Sequence, residues 1–439
     1  MNVSFVSLGC AKNLVNTEQM MALCRAAGHT ITGEPDGADV AVVNTCGFID
    51  SAKSEAIDTI LSIAPLKEAG RLKKLLVAGC LTQRYRDEIL EELPEVDGIL
   101  GTGSYTDIVP AIEAAMAGDV PTFFGDIDHT VEDGDRVVST PPYTAYLKIA
   151  EGCDNRCSYC VIPSLRGRYR SRTMESLLAE AKGLADSGVQ ELIVIAQDIT
   201  RYGTDLYGER RLGELLTELC KLSFHWVRLH YLYPDEVDDA LIDVIAAQPK
   251  IVKYLDIPIQ HCNDKILKAM NRRGTKAEIQ ALLKKFRARI PGVVLRTSLI
   301  CGLPGEGEAE FEELCDFLRE SGIERAGVFP FSPEEGSVAA TLPDQVPADV
   351  ALRRTELLVD LQSRVMDAYN EQRLGTVMEV LCEGFDAEAG CWAGRTYADS
   401  QDIDGRVYFT AAGTVPAGTF VNVRITGTSD GDLTGEIEE

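Results

Sequence analysis

Lys148-Ile-Ala-Glu-Gly-Cys153-Asp-Asn-Arg-Cys157-Ser-Tyr-Cys160 ends an aliphatic run, Ala145–Ala150, and opens a loop with three thiols in eight residues. A strand running into such a loop is the start of a β/α unit, whose working residues sit at the carboxyl end of the strand. The chain downstream repeats that pattern. Aliphatic runs fall at Glu191–Gln197, Trp226–Leu232, Tyr254–Ile259, Val293–Ile300 and Arg325–Phe331. Amphipathic segments separate them, such as Met174–Ser187 behind the N-cap candidate Thr173, and Glu308–Glu320 behind Pro304-Gly305. Six consecutive units predict an open, partial (β/α)6 barrel rather than a closed eight-stranded one. A helix over Ala348–Leu374 follows it.

Upstream, Val3–Leu8, Val40–Asn44 and Leu75–Ala78 alternate with the helical patterns Thr17–Ala27 and Ser51–Ile63. That order, βαβαβ, predicts an α/β domain with a parallel sheet. Gly118–Pro142, rich in Gly, Asp, Thr and Pro, reads as a linker. From Gly375 the texture changes to Val, Thr, Tyr, Phe and Gly with frequent turns. Strands are expected at Val377–Glu383, Trp392–Thr396, Arg406–Phe409, Phe420–Ile425 and Leu433–Ile437, making a small antiparallel β-barrel. The expected domains are 1–117, 139–371 and 374–439.

A chain of 439 residues with 45% hydrophobic and 26% charged residues suits a soluble multidomain protein. No apolar run reaches the roughly 18 residues that cross a bilayer. The N-terminus reads as a first strand rather than a signal peptide, so a reducing cytoplasm is expected. There, thirteen cysteines are more often ligands or nucleophiles than disulfides. The net charge of −26 repels phosphate backbones and attracts basic proteins.

Cys153, Cys157 and Cys160 can wrap one cubane cluster and ligate three of its four irons, leaving the fourth open. A structural zinc site needs a fourth ligand, and no second CxxC or His pair follows at the usual spacing. Cys10, Cys46 and Cys80 form a dispersed set, 46 − 10 = 36 and 80 − 46 = 34 residues apart, close to one βαβ repeat. Each ends an expected strand and has a glycine neighbour, in Gly9-Cys10, Cys46-Gly47 and Gly79-Cys80. Carboxyl ends of neighbouring parallel strands lie at one edge, so the three thiols can reach a second cluster. Cys24, Cys220, Cys262, Cys301, Cys315, Cys382 and Cys391 show no such phasing and read as small hydrophobes.

The C-x3-C-x2-C loop with Tyr159 before its last cysteine resembles the radical S-adenosylmethionine (SAM) superfamily. The resemblance implies a [4Fe–4S] cluster on Cys153, Cys157 and Cys160 whose open iron is chelated by SAM, and a 5′-deoxyadenosyl radical after one-electron cleavage. It agrees with a partial (β/α)6 barrel. SAM would be met at the carboxyl face by Tyr159, Gln197, Gln260, Gly302 and Gly305, the glycines admitting the nucleoside closely. His261 reads as a structural histidine.

A second open-iron cluster on Cys10, Cys46 and Cys80 extends the resemblance to the methylthiotransferases, with a terminal barrel similar to the TRAM domain. Ser7-Leu-Gly-Cys10-Ala-Lys-Asn-Leu-Val15, Arg228-Leu-His-Tyr-Leu-Tyr-Pro-Asp-Glu236 and Tyr254-Leu-Asp-Ile-Pro-Ile-Gln-His261 are similar to the RimO branch. So are Gly327-Val-Phe-Pro-Phe-Ser-Pro-Glu-Glu-Gly336 and Gly394-Arg-Thr-Tyr-Ala-Asp399, with minor departures at Asn16 and Cys262. The branch implies two SAM-dependent steps. A sulfur on the second cluster is methylated, and a radical at the β-carbon of an aspartate then takes the methylthio group. The product is 3-methylthioaspartate on protein twelve of the small ribosomal subunit. A basic ribosomal protein, an electron donor and a sulfur donor are the implied partners, with no membrane and no specific nucleic acid. Leu374–Glu439 carries three Arg and twelve Asp or Glu, a net of 3 − 12 = −9, which suits such a protein better than tRNA. The alternatives are a tRNA adenosine methylthiotransferase with the same clusters and a non-enzymatic iron–sulfur carrier.

Overall fold

The structure, a computed structural model, describes residues 1–129 and 134–438. Runs such as Val40–Thr45, buried at all six positions, can only lie inside a sheet covered on both faces. The N-terminal sheet has six strands: β1 (Asn2–Ser7), β2 (Thr30–Thr32), β3 (Val40–Thr45), β4 (Lys74–Gly79), β5 (Gly98–Leu100) and β6 (Thr122–Phe123). They pair in parallel in the order β2-β1-β3-β4-β5-β6. The three central strands are those expected from sequence. β2, β5 and β6 are additions of two or three residues each, too short to show a period. β6 lies inside the stretch expected to be a linker, so the first domain reaches Phe123 rather than ending at Ala117. Part of the remaining linker docks: Arg136 pairs with Glu18 at 2.7 Å, and Ser139 donates to the same carboxylate through its amide and hydroxyl. Residues 130–133 of that stretch lie outside the described residues.

The central domain is a parallel sheet of β7 (Thr144–Lys148), β10 (Glu191–Ile195), β11 (Trp226–Leu229), β12 (Ile251–Asp256), β13 (Val294–Cys301) and β14 (Arg325–Pro330). Its order is β14-β13-β12-β11-β10-β7, an open six-stranded curl that never closes. A small hairpin, β8 (Ala150–Glu151) with β9 (Arg170–Ser171), brackets the cysteine loop. Two neighbours occupy the interior of the curl. From one side, Val15 of the Ala11–Ala26 helix packs on Ile193 and Ile195, with Ala11, Tyr146 and Tyr231 around them. From the other comes a loop of the C-terminal domain, residues 396–406.

That domain is a closed barrel of β15 (Val377–Asp386), β16 (Cys391–Arg395), β17 (Val407–Thr410), β18 (Phe420–Ser429) and β19 (Asp432–Ile437), in the order β15-β16-β17-β19-β18. The expected antiparallel barrel is corrected at one seam, since β17 and β19 pair in parallel. Its loop enters the base of the central curl. Arg395 and Arg228 both grip Glu191 at 2.7 Å, all three fully buried. Asp399 accepts from Arg325 at 2.9 Å, Asp404 from the Tyr254 hydroxyl at 2.7 Å, and Ser400 Oγ meets His230 Nε2 at 2.9 Å. Burial pushes His230 down to about 4, so it stays neutral in this contact. Three of the twelve acids of this domain, Glu383, Asp399 and Asp404, are therefore spent inward. Glu379, Glu388, Asp402, Asp430, Glu436 and Glu438 stay exposed against Arg406 and Arg424, and the outer face remains acidic. Among the described residues no helix is long and apolar enough to cross a membrane.

Candidate active site

The register of the N-terminal sheet assembles the dispersed triplet. Thr45 pairs with Gly79, so Cys46 and Cys80, the next residues of each strand, leave adjacent strands side by side. Ser7 pairs with Asn44, which carries Gly9 to the position opposite Cys46. The glycines bring the three turns into contact. A Cβ on Gly9, whose φ is +84°, would stand 2.6 Å from Cys46 Cβ. A Cβ on Gly47 would stand 2.8 Å from the backbone of Leu81. The glycines beside the cysteines make room for each other's turn, which holds the thiols together.

The compact triplet lies over the carboxyl ends of the central strands. Asn155, inside its loop, donates to Asp198 at the end of β10 at 3.0 Å. Arg156 takes φ +49°, a left-handed conformation that costs a non-glycine residue about 1 kcal/mol or more. Amides of Asn155 and Ile162 donate to Cys153 and Cys160 Sγ at 3.5 Å. Buried Arg272 spans the loop, with Nη1 3.8 Å from Cys157 Sγ and 3.3 Å from the Tyr159 hydroxyl, and Nη2 on the Pro258 carbonyl at 2.6 Å. Tyr233 Oη stands 3.8 Å from Cys157 Sγ.

Helix Ile162–Arg166 joins the two triplets. It begins two residues after Cys160 and ends on Arg166, which is 3% exposed and reaches into the other domain. There Arg166 Nε donates to Cys80 Sγ at 3.3 Å, Nη1 to Asn16 Oδ1 at 2.8 Å and Nη2 to Asn13 Oδ1 at 2.9 Å. Beside Cys80, Val161 and Leu165 form a small apolar seal with Phe48. Glu151 ties the network to the barrel, taking Lys148 at 2.7 Å, Arg166 at 3.3 Å and Gln197 Nε2 at 2.7 Å. Burial works to raise the Glu151 carboxyl, but the charges of Lys148 and Arg166 outweigh it and hold it well below the carboxylate range. A cavity of about 260 Å³ opens along the seam between Asn16, Thr102 and Tyr105 on one side and Lys148, Glu151 and Arg170 on the other.

The thiols feel these surroundings unequally. Burial raises Cys46 and Cys153 to about 11. Burial also acts to raise Cys10, which is open to the cleft, yet Lys12, Arg166 and two backbone amides win, and its thiol is lowered. Among the described residues no three His, Cys, Asp or Glu side chains converge on a single metal ion. All thirteen cysteines are free thiols. Two unpaired triplets at strand ends, with cations at their edge, fit a polyatomic cluster that spreads its ligands more than they fit one ion.

Of the expected SAM contacts, Gln197 lies at the network, and its Oε1 is a buried acceptor with no donor among the described residues. Tyr159 faces Arg272, and Gln260 takes φ +68° and bridges to β13 through its backbone. Gly302 takes φ +81°, and a Cβ on it would stand 2.3 Å from Ala351 Cβ, so on that side its close neighbour is a helix. Gly305 sits in a turn with its amide on the Asp344 carbonyl. His261 is fully buried, with its Nε2 3.6 Å from Glu306 and its Nδ1 accepting from the Asn263 amide at 3.0 Å. Lys12, Lys148, Glu151, Arg166, Tyr231 and Arg272 were not singled out from sequence. Lys148 and Glu151 were within reach, as charges at the end of an otherwise aliphatic strand.

Residues 2–101 match the family model described as Uncharacterized protein family UPF0004, residues 147–318 that of the Radical SAM superfamily, and residues 374–437 that of the TRAM domain. Over 438 residues the chain is 48% identical to the ribosomal protein uS12 methylthiotransferase RimO of Pelotomaculum thermopropionicum, spanning 99% of this chain and 98% of that one. It is 46% identical to the same-named protein of Desulforamulus reducens over the whole of both chains. Among solved structures it is similar to the radical SAM methyltransferase TsrM of Kitasatospora setae. The TM-score is 0.57 at 14% identity, over 74% of this chain and 72% of that one, a likeness of fold alone.

Proposed function

The chain belongs to the RimO family of ribosomal protein uS12 methylthiotransferases, and from that premise we infer how its own residues serve the reaction. It is a SAM-dependent radical enzyme that uses two [4Fe–4S] clusters and methylthiolates a ribosomal protein. Cys153, Cys157 and Cys160 would hold the cluster that meets SAM, and Cys10, Cys46 and Cys80 the one that meets sulfur. When bound, these groups supply one-electron cleavage of SAM, hydrogen abstraction at an aspartate β-carbon, and the methylthio group that the carbon takes up.

The protein's part is placement. Arg272 and the Asn155–Asp198 bond hold the compact loop over the barrel mouth. The glycine-packed turns present three thiols at one sheet edge. Arg166 fixes one triplet relative to the other and balances negative charge at Cys80, while Glu151 and Lys148 carry its charge into the barrel. Gln197, with a free acceptor in this network, is suited to the amino group of SAM. Val161, Leu165 and Phe48 keep water from the Cys80 side. The acidic outer face of the C-terminal barrel suits docking of a basic protein. Residues 1–123, 139–371 and 374–439 act as the sulfur, radical and docking units, with separate electron and sulfur donors, in the cytoplasm.

The single observation that carries this reading is the contact of Arg166, six residues after Cys160, with Cys80 of the other triplet. The test is anaerobic reconstitution with SAM, a reductant, and either a uS12 peptide carrying the target aspartate or unmodified tRNA. Methylthiolation of the peptide alone is expected. Formation of 5′-deoxyadenosine with no methylthio group on the peptide would sink the assignment.

A further inference from the structure

We propose that Lys12 receives the carboxylate of the target side chain and so selects an acidic residue over its amide. This rests on the reading above and adds a residue to it. Lys12 opens the Ala11–Ala26 helix and is 8% exposed. Its Nζ lies 3.4 Å from the centre of the Tyr231 ring, and it forms no ion pair among the described residues.

The other buried cations of the seam are matched. Lys148 has Glu151, and Arg166 has Glu151, Cys80, Asn13 and Asn16. Lys12 alone has no carboxylate within ion-pair reach among the described residues. In a chain of net charge −26, a buried ammonium without a carboxylate is an expensive exception. Tyr231 maintains it. Held at φ +66°, in the left-handed region, Tyr231 sets its ring over the ammonium. A π face attracts a cation without neutralising it, so the charge stays available. The location fits the chemistry as well. Lys12 joins the Cys10 turn to the end of β11, in the cleft where the triplets meet. An aspartate carboxyl is one bond from its β-carbon, so a cation that holds it has to lie in that cleft. The competing use of this charge is to balance a Cys10 thiolate.

The test is binding of fluorescent uS12 peptides to the reconstituted holoenzyme by anisotropy, with aspartate or asparagine at the target position. The wild type should prefer aspartate by about ten- to a hundredfold, the range for one charge-assisted hydrogen bond. Lys12→Met, or Lys12→Gln should the first fail to fold, should bring that ratio near one by weakening the aspartate peptide alone. Lys12→Arg should retain the preference. A wild-type ratio in the folded Met or Gln variant overturns the inference and assigns the charge to Cys10, as does a wild type that binds both peptides alike. A wild type that methylthiolates tRNA and not the peptide sinks the substrate reading and the inference together, whereas an unchanged ratio in an enzyme that does modify the peptide sinks the inference alone.

Discussion

Arg166→Lys is the most informative single change, because it keeps the charge and removes the fork. The guanidinium makes four contacts across two domains, to Cys80 Sγ, Asn13 Oδ1, Asn16 Oδ1 and Glu151 Oε2. A lysine has one point of donation and a shorter reach, so it can follow Glu151 but not span both asparagines. Asn16 Oδ1 then loses its donor, and Asn13 Oδ1 is left with the Tyr105 hydroxyl at 3.5 Å. A buried acceptor left bare costs about 1–3 kcal/mol, and with the weakened second contact the sum is about 2–4 kcal/mol. Differential scanning calorimetry should show a melting point lower by several degrees. The functional effect is more selective. SAM cleavage depends on thiols that Arg166 does not touch, whereas insertion depends on the setting of one triplet against the other. The ratio of methylthio product to 5′-deoxyadenosine should therefore fall by about tenfold or more, as misplacement of reacting groups predicts. A variant that melts with the wild type and inserts one group per cleavage at the wild-type ratio would refute the bridging role.

Three further outcomes follow from the same contacts. Gly9→Ala drives a Cβ into Cys46 at a backbone angle of +84°, so iron content should fall from about eight to about four per chain, as loss of one cubane of two requires; full iron in a soluble variant contradicts this packing. Cys46→Ala should still cleave SAM and insert no sulfur, while Cys153→Ala should do neither, and 5′-deoxyadenosine from the latter would remove the radical role of its loop. Burial would raise Glu191, but Arg395 and Arg228 hold it at about 2 against an ordinary 4.5. The resulting stability of about 3 kcal/mol is complete above pH 4.5 and disappears as pH falls through 2. Fluorescence of Trp226, packed on Phe420 at this junction, should report the loss, and an acid profile unchanged in Glu191→Gln would be the contrary result.

What could be read from sequence divides by the kind of residue each element buries. β3, β4 and the six core strands bury aliphatic side chains, and their runs are visible as such. The Ala11–Ala26 helix was expected only from Thr17, although it starts at Ala11. Its first turns bury Lys12, Asn13, Asn16, Thr17 and Glu18, a polar face turned to Arg166 and Arg136, so no apolar period marks them. That Cys10, Cys46 and Cys80 come to one sheet edge was legible because each closes an aliphatic run that could be located. The cations between the two triplets were not, because Lys12 and Arg166 acquire meaning only when two domains meet. Gly302 has a second such hidden neighbour: on its Cβ side it accommodates Ala351, 351 − 302 = 49 residues on, a packing that no local pattern announces.

The open curl of the central domain explains why the three parts act together. Six strands leave an interior that a closed barrel would fill with its own side chains. Here the N-terminal helix enters from the mouth with Val15, and the C-terminal loop enters from the base with Asp399, Ser400 and Asp404. The mouth contact sets the cysteine-bearing turns at the strand ends. The base contact is polar and its buried carboxylates are paired with arginines or a tyrosine, and breaking one ion pair strands a buried charge, at a cost of about 3–5 kcal/mol. Such a joint resists sliding more than an apolar one would. A ribosomal protein docked, as proposed, on the acidic outer face would thus be referred, through Glu191 and Arg395, to the same strands that carry the cysteine loop. In this geometry, loosening the base by Arg395→Ala should raise the amount of 5′-deoxyadenosine formed per methylthio group on a peptide substrate, even though Arg395 belongs to neither triplet. A peptide modified with wild-type coupling by that variant would show that the C-terminal domain only tethers its substrate.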